Sequence, residues 1–158
     1  MSASEVRVID CEQGDISGKS FAIIVSRYYK TLTPKLLQGA LDTLDNAGVD
    51  KQQIAVAHVP GAWELSAAAA RMIKDFDALI CLGVVIKGET THDQYINSSV
   101  SHELGQLAVK HCKPVGFGLL TCNSMEQAVA RCGGSVGNKG EEAAAAAIQM
   151  LQLFSQLD

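Results

Sequence analysis

From Ala78 to Ile86 the chain runs Ala-Leu-Ile-Cys-Leu-Gly-Val-Val-Ile, with no charged or polar side chain except one thiol. A strand with one wet face alternates, and this run does not. It reads as a strand buried on both faces, which requires a parallel sheet covered by helices above and below. Directly after it come Lys87 and then Gly88-Glu89-Thr90-Thr91-His92, ahead of a long helical pattern. Ligands of open α/β sheets bind just beyond the carboxyl ends of the strands. Here a glycine, backbone amides and threonine hydroxyls suited to an anion, and an imidazole for proton transfer, meet at such an end.

The rest of the sequence repeats the same unit. Phe21–Ser26 is a second buried strand, and Thr33-Pro34 offers an N-cap with proline at the first helical position. Leu37, Ala40, Leu41, Leu44 and Ala47 follow at helical spacing, and Gly48 closes that helix. Ile54–Val59 is a strand ending in the turn Pro60-Gly61. Leu65, Ala68, Ala69, Met72, Ile73 and Phe76 form one apolar stripe. The helix after the site loop carries Val100, Leu104, Leu107 and Ala108, and Val115–Thr121 is the fourth parallel strand. Ser124 with Gln127 marks a capping-box start of a short helix. The segment Gly133-Gly134-Ser135-Val136-Gly137 reads as a loop, and 141–157 as an alanine-rich terminal helix.

Strands alternating with helices imply βαβ units and a three-layer αβα sandwich. The sheet is expected to be four-stranded, parallel and flavodoxin-like. Val6–Ile9, followed by Gly14 and Gly18, adds an N-terminal strand or arm. The expected organisation is a single domain over 1–158, with an arm at 1–18 and the core at 19–158.

Length and composition narrow the classes. The 158 residues, 47% hydrophobic and 19% charged, suffice for one sizeable core. A formal net charge of -4 gives no electrostatic reason to expect nucleic acid or an anionic membrane as partner. The longest apolar run is too short to cross a bilayer. Met-Ser-Ala-Ser-Glu-Val at the start lacks a basic and then apolar region, so no signal peptide is expected. Cys11, Cys81, Cys112, Cys122 and Cys132 are odd in number and contain no C-x-x-C pair. They read as reduced thiols of a cytoplasmic protein, with no metal site. His92, His102 and His111 are too widely spaced for a local ligand pair.

Four loops leave the carboxyl ends of parallel strands, and each has a functional and a plainer explanation. Arg27, Tyr28 and Tyr29 follow the first strand. Adjacent aromatics there suit a planar ligand; in the plainer explanation one ring merely covers the core. Pro60-Gly61-Ala62-Trp63-Glu64 follows the second. Glu64 can accept from ring N–H groups, or simply complement the dipole of the helix it opens. In the 88–92 loop, Thr90, Thr91 and free amides suit a phosphate, without the Gly-Lys-Ser/Thr of a P-loop. His92, as an imidazole, can move protons both ways near neutrality; alternatively it is a solvated residue at a helix start. Arg131 could clamp a phosphate with two hydrogen bonds or end its helix as a dipole partner, and Lys139 with Glu142 could be a surface pair.

Six stretches in order carry a family resemblance over about Phe21 to Met150: Ser26-Arg27-Tyr28, Pro60 to Glu64, Gly83 to His92, Phe117 to Thr121, Glu126 to Ala128 with Arg131, and Asn138 to Ala144. The chain resembles the 6,7-dimethyl-8-ribityllumazine synthase family of riboflavin biosynthesis. That resemblance implies condensation of 5-amino-6-(D-ribitylamino)uracil with 3,4-dihydroxy-2-butanone 4-phosphate, releasing phosphate and water and needing no cofactor. It implies that Tyr28 stacks on the pyrimidine, that Ala62, Trp63 and Glu64 hold the ribityl chain, and that Val85 and Ile86 line the ring pocket. Lys87 belongs to the same substrate-binding stretch. Glu89, Thr90 and Arg131 would bind the phosphate, and His92 would shuttle protons with Glu142 orienting it. Phe117 and Lys139 would close the site from a neighbouring subunit.

Two positions depart from the family pattern. Tyr28 stands where Phe or Trp is common, and Glu89 where Ala is frequent. The resemblance further implies a homopentamer. Pentamer-only members of that family often carry extra residues before the Asn-Lys-Gly motif, whereas here Arg131 and Lys139 are only eight apart and the arm lacks proline, so the resemblance implies an icosahedral 60-mer shell. Association with riboflavin synthase is a further expected partner. The alternative is a non-catalytic carrier of a flavin or lumazine, or a shell protein that has lost the chemistry.

Overall fold

The computed structural model describes residue 2 and residues 5–157. Four strands, β1 (Phe21–Ser26), β2 (Ile54–Val59), β3 (Ala78–Ile86) and β4 (Val115–Cys122), form one parallel sheet in the order β2-β1-β3-β4. The helices are α1 (Thr33–Asn46), α2 (Leu65–Met72), α3 (His92–His111), α4 (Met125–Arg131) and α5 (Lys139–Ser155). Short 3-10 turns at Lys51–Gln53 and Ala62–Glu64 precede β2 and α2.

Side-chain alternation along the central strands divides the core in two. Phe21, Ile23, Val25, Ile80 and Leu82 pack against α1, α4 and α5, through Leu36, Leu44, Ala128, Ala144 and Ile148. Ala22, Ile24, Leu79, Cys81 and Val85 face α2 and α3, through Leu65, Ala69, Val100 and Leu104. β1 and β3 are buried along both faces, as the unbroken apolar run requires. Each fully buried Leu, Ile or Phe contributes about 1.5–3 kcal/mol to this arrangement. The result is the three-layer, flavodoxin-like α/β sandwich expected from the strand–helix alternation.

Several boundaries differ from the sequence reading. Thr33 is the first residue of α1 and not its cap. Leu32 holds the cap position, and the buried Thr33 hydroxyl donates back to the Tyr29 carbonyl at 3.2 Å. The stripe at Ile73 and Phe76 continues past the helix, since α2 ends at Met72. The terminal helix begins at Lys139, two residues earlier than expected, because the Asn138 side chain caps it. The glycine segment after Arg131 is a small hairpin rather than a loop, with β5 (Cys132–Gly134) antiparallel to β6 (Gly137–Asn138). Gly137 at φ +114 supplies a backbone state that other residues rarely adopt.

Val6–Ile9 forms no strand, and an isolated segment has no ladder to join. It runs as an arm beside the end of α5. Gln156 donates to the Asp10 carbonyl at 2.7 Å and to that of Gln13, and Arg7 donates to the Gln156 carbonyl at 3.0 Å.

Candidate active site

β3 is longer than β1, and this difference makes the site. Pairing between them stops at Val25↔Leu82, while β3 continues to Ile86 beside β4. The backbone N–H groups of Leu79 and Lys87 donate to the carbonyls of Pro114 and Cys122 on the β4 side, at 3.0 and 2.8 Å. Odd-numbered residues therefore point their amides towards β4, and even-numbered ones towards β1. Beyond the end of β1, Val84 and Ile86 face a space with no strand in it.

That space is a cavity of about 350 Å³. Tyr28 and Tyr29 line it from the β1 end, Gly61 to Glu64 from the turn before α2, and Val84, Val85 and Ile86 from β3. Gly88, Thr90, His92, Asp93 and Ile96 complete it. His92 opens α3, and its backbone N–H lies 3.4 Å from the Thr90 hydroxyl, so the hydroxyl loop and the imidazole share one helix start. Such a start presents unpaired amides and the positive end of a 20-residue helix, an arrangement that attracts anions. Lys87 and Glu89 belong to the same loop with exposed side chains, but neither lines the cavity.

Tyr28 stands 72% exposed at the mouth, and Tyr29 is partly buried. Their ring centroids are 5.0 Å apart with planes at 77°. Burial pushes the Tyr29 phenol pKa up, with the neighbouring Tyr28 adding to the rise, and the Ile86 backbone amide pulls it down.

The remaining site residues gather elsewhere. Phe117, Arg131, Lys139 and Glu142 line a second cavity of about 390 Å³ with Thr121, Cys122, Gln127 and the hairpin residues Val136 to Asn138. It lies against the edge strand β4 and shares no lining residue with the first. Arg131 ends α4 and donates to the Gln127 carbonyl at 3.0 Å. Glu142 sits 3.3 Å from Lys139 across one helical turn, so within one chain its partner is the lysine and not His92. Burial raises the thiol pKa of Cys122, against the pull of Arg131, and pushes Cys132 up to about 11. Neither thiol is an activated nucleophile.

The sequence reading gave no role to Asn138, and the structure gives it one. Its side-chain oxygen accepts from the N–H groups of Gly140 and Glu141 at 2.8 and 3.2 Å, and its amide donates to the Lys35 carbonyl at 3.0 Å. This clamp fixes the start of α5, and hence Lys139, against α1. Gly140 completes it, since a Cβ there would lie 1.9 Å from the Leu36 carbonyl oxygen. The capping pattern of an asparagine before a helix start was available in the sequence; the partner at Lys35 was not.

A third and larger cavity, about 960 Å³, is an apolar groove between α3 and α5 along β4, with Val109, Phe117, Met150 and Leu157 in its walls. Among the described residues no group of three or more His, Cys, Asp or Glu side chains is placed to hold a metal, and no helix is long and apolar enough to cross a membrane.

Comparison with known proteins identifies the family. The family model described as 6,7-dimethyl-8-ribityllumazine synthase matches residues 18–155. A protein of that name from Rhodopirellula baltica is 47% identical over 151 residues, covering 94% of this chain and 97% of the relative. Another from Salinibacter ruber is 44% identical over 150 residues, covering 92% and 96%. The match takes in every strand of the sheet and both cavities, and the chain belongs to the 6,7-dimethyl-8-ribityllumazine synthase family.

Proposed function

We propose that this protein condenses 5-amino-6-(D-ribitylamino)uracil with 3,4-dihydroxy-2-butanone 4-phosphate to 6,7-dimethyl-8-ribityllumazine, the product for which its relatives are named. The supporting observation is the cavity at the end of β3. It combines an aromatic face, a carboxylate and a hydroxyl loop with an imidazole at a helix start. A carrier needs neither the proton shuttle nor the phosphate loop.

In this reading Tyr28 stacks on the pyrimidine, Ala62, Trp63 and Glu64 hold the ribityl hydroxyls, and Val85 with Ile86 lines the ring. The substrate amine condenses with the ketone to an imine and releases one water, inorganic phosphate leaves by elimination, and the second amine closes the ring on the resulting carbonyl with loss of a second water. Thr90 and the free amides of the loop hold the phosphate. Glu89 contributes its backbone N–H, because a carboxylate beside a phosphate is repulsive. His92 takes the proton from the attacking amine and returns it to a leaving oxygen.

Arg131, Phe117 and Lys139 are needed at the same reaction but line a different cavity of the chain. A site shared between copies resolves this: the β4-side cavity of one subunit meets the strand-end cavity of the next. Self-association into a pentamer fits the apolar groove beside β4 and the exposed Val109 and Phe117. A 60-subunit shell and binding of riboflavin synthase are the larger assemblies proposed, with the whole chain acting as one domain in the reducing cytoplasm, where its five free thiols persist.

The test is to mix the two substrates with purified protein and follow lumazine absorbance and phosphate release. Stoichiometric formation of both, faster than the spontaneous reaction, is expected; no acceleration would end the enzyme reading. Sedimentation decides the assembly, since a species of five chains and nothing larger contradicts the shell.

A further inference from the structure

The turn that carries His92 is weakly held by its own residues. Thr91, at the cap position of α3, makes no side-chain hydrogen bond to the helix. The His92 N–H reaches the Thr90 hydroxyl only at 3.4 Å, and the residues from Lys87 to His92 are all exposed. A proton carrier works only in a fixed geometry, so this turn needs an anchor elsewhere.

Two residues of α3 can supply one. Asp93 and Asn97, four positions apart, share the helix face that carries Val100 and Leu104 into the core. The Oδ1 atom of each is buried and has no hydrogen-bond partner among the described residues. A first-turn acid that only complemented the helix dipole would keep its oxygens in solvent. Asp93 also lines the strand-end cavity with His92. Both Oδ1 atoms are acceptors, so they cannot bond each other, while residues at this spacing have Cβ atoms only about 6 Å apart. One internal water fits the pair, because it has a proton to donate to each oxygen.

We infer that Asp93 and Asn97 share one internal water, and that Asn97 is a positioning residue which, through that water and Asp93, fixes the first turn of α3 and the direction of the His92 imidazole. This rests on the proposed reaction and adds to it a residue that touches neither substrate. Without Asn97 the buried carboxylate loses its shared donor, turns towards solvent, and takes the start of the helix with it.

The test is a double-mutant cycle on Asp93→Ala and Asn97→Ala. Each single variant should lower kcat about 3- to 10-fold, the worth of one hydrogen-bonded link. The KM for ribitylaminouracil should stay within about twofold, since the walls formed by Tyr28 and Trp63 are untouched. The double variant should be no slower than the slower single one, because both substitutions remove the same link. Losses that multiply in the double variant would make the two residues independent and overturn the inference. A lowered melting temperature with kcat unchanged would also overturn it, by making the pair merely structural. A crystal structure of the unmodified protein tests the water without any assay. A water within hydrogen-bond distance of both oxygens is expected; no water there, or the Asn97 amide nitrogen bonded straight to Asp93, would overturn the shared donor. Absence of turnover with that water in place would instead remove the reaction itself.

Discussion

The two cavities that hold the candidate site residues differ in how they are built. The one at the end of β3 rests on rigid strand ends, and much of its chemistry is backbone: a strand that outruns its neighbour β1, a helix start and a glycine-containing loop. The one beside β4 rests on a short helix, a small hairpin and the first turn of α5, and its chemistry is cationic side chains. The first can bind a flat ring and move a proton. The second can hold an anion and lacks an imidazole. On the proposed function neither cavity is a complete site, and the chemistry is divided so that assembly of copies would complete it.

Removing the proton carrier should break the first cavity most severely. His92→Ala is expected to slow turnover about 10- to 1000-fold at saturating substrates, measured against the spontaneous rate, since positioned acid–base groups contribute roughly 10²–10⁴. Arg131→Ala should act on the second cavity alone. The KM for the phosphorylated substrate should rise by about 10-fold or more, the worth of a charge-assisted contact, with little change for ribitylaminouracil. An unchanged KM for the phosphorylated substrate would show that Arg131 does not touch phosphate.

Smaller effects separate support from chemistry. Asn138→Ala removes a cap and the tie to Lys35, and should lower stability by about 1–2 kcal/mol in denaturant titration. It should also raise the KM for the phosphorylated substrate, through a loosened Lys139. Ser26 offers the opposite sign: its hydroxyl is buried beside Gly83 with no partner among the described residues. Ser26→Ala should therefore be neutral or stabilising by up to about 1 kcal/mol, the cost of an unsatisfied buried group. A clear loss of stability would mean that the hydroxyl has an internal water.

The parts of this molecule visible in the sequence are those set by local rules. The apolar run 78–86 gave its strand to the residue, and Ser124 capped α4 as its spacing predicts, accepting from the Gln127 N–H at 3.2 Å. Thr33 misled because a buried hydroxyl can turn back to a carbonyl one turn earlier, a choice made by packing. The hairpin at 132–138 was hidden because glycines signal turns without saying what they connect. The separation of Arg131 from His92 was not legible as a distance. It depends on β4 lying at the sheet edge, which is a property of the whole topology.

The central claim, that a working site takes one cavity from each of two subunits, is tested by mixing. His92→Ala and Arg131→Ala chains are unfolded together, refolded into shared oligomers, and assayed with the phosphorylated substrate well below saturation. Random assembly of equal amounts places an intact His92 beside a neighbour's intact Arg131 at about one interface in four, so about a quarter of wild-type activity should return. Activity no higher than the mean of the two separate variants would contradict the account and place both residues in a site within one chain.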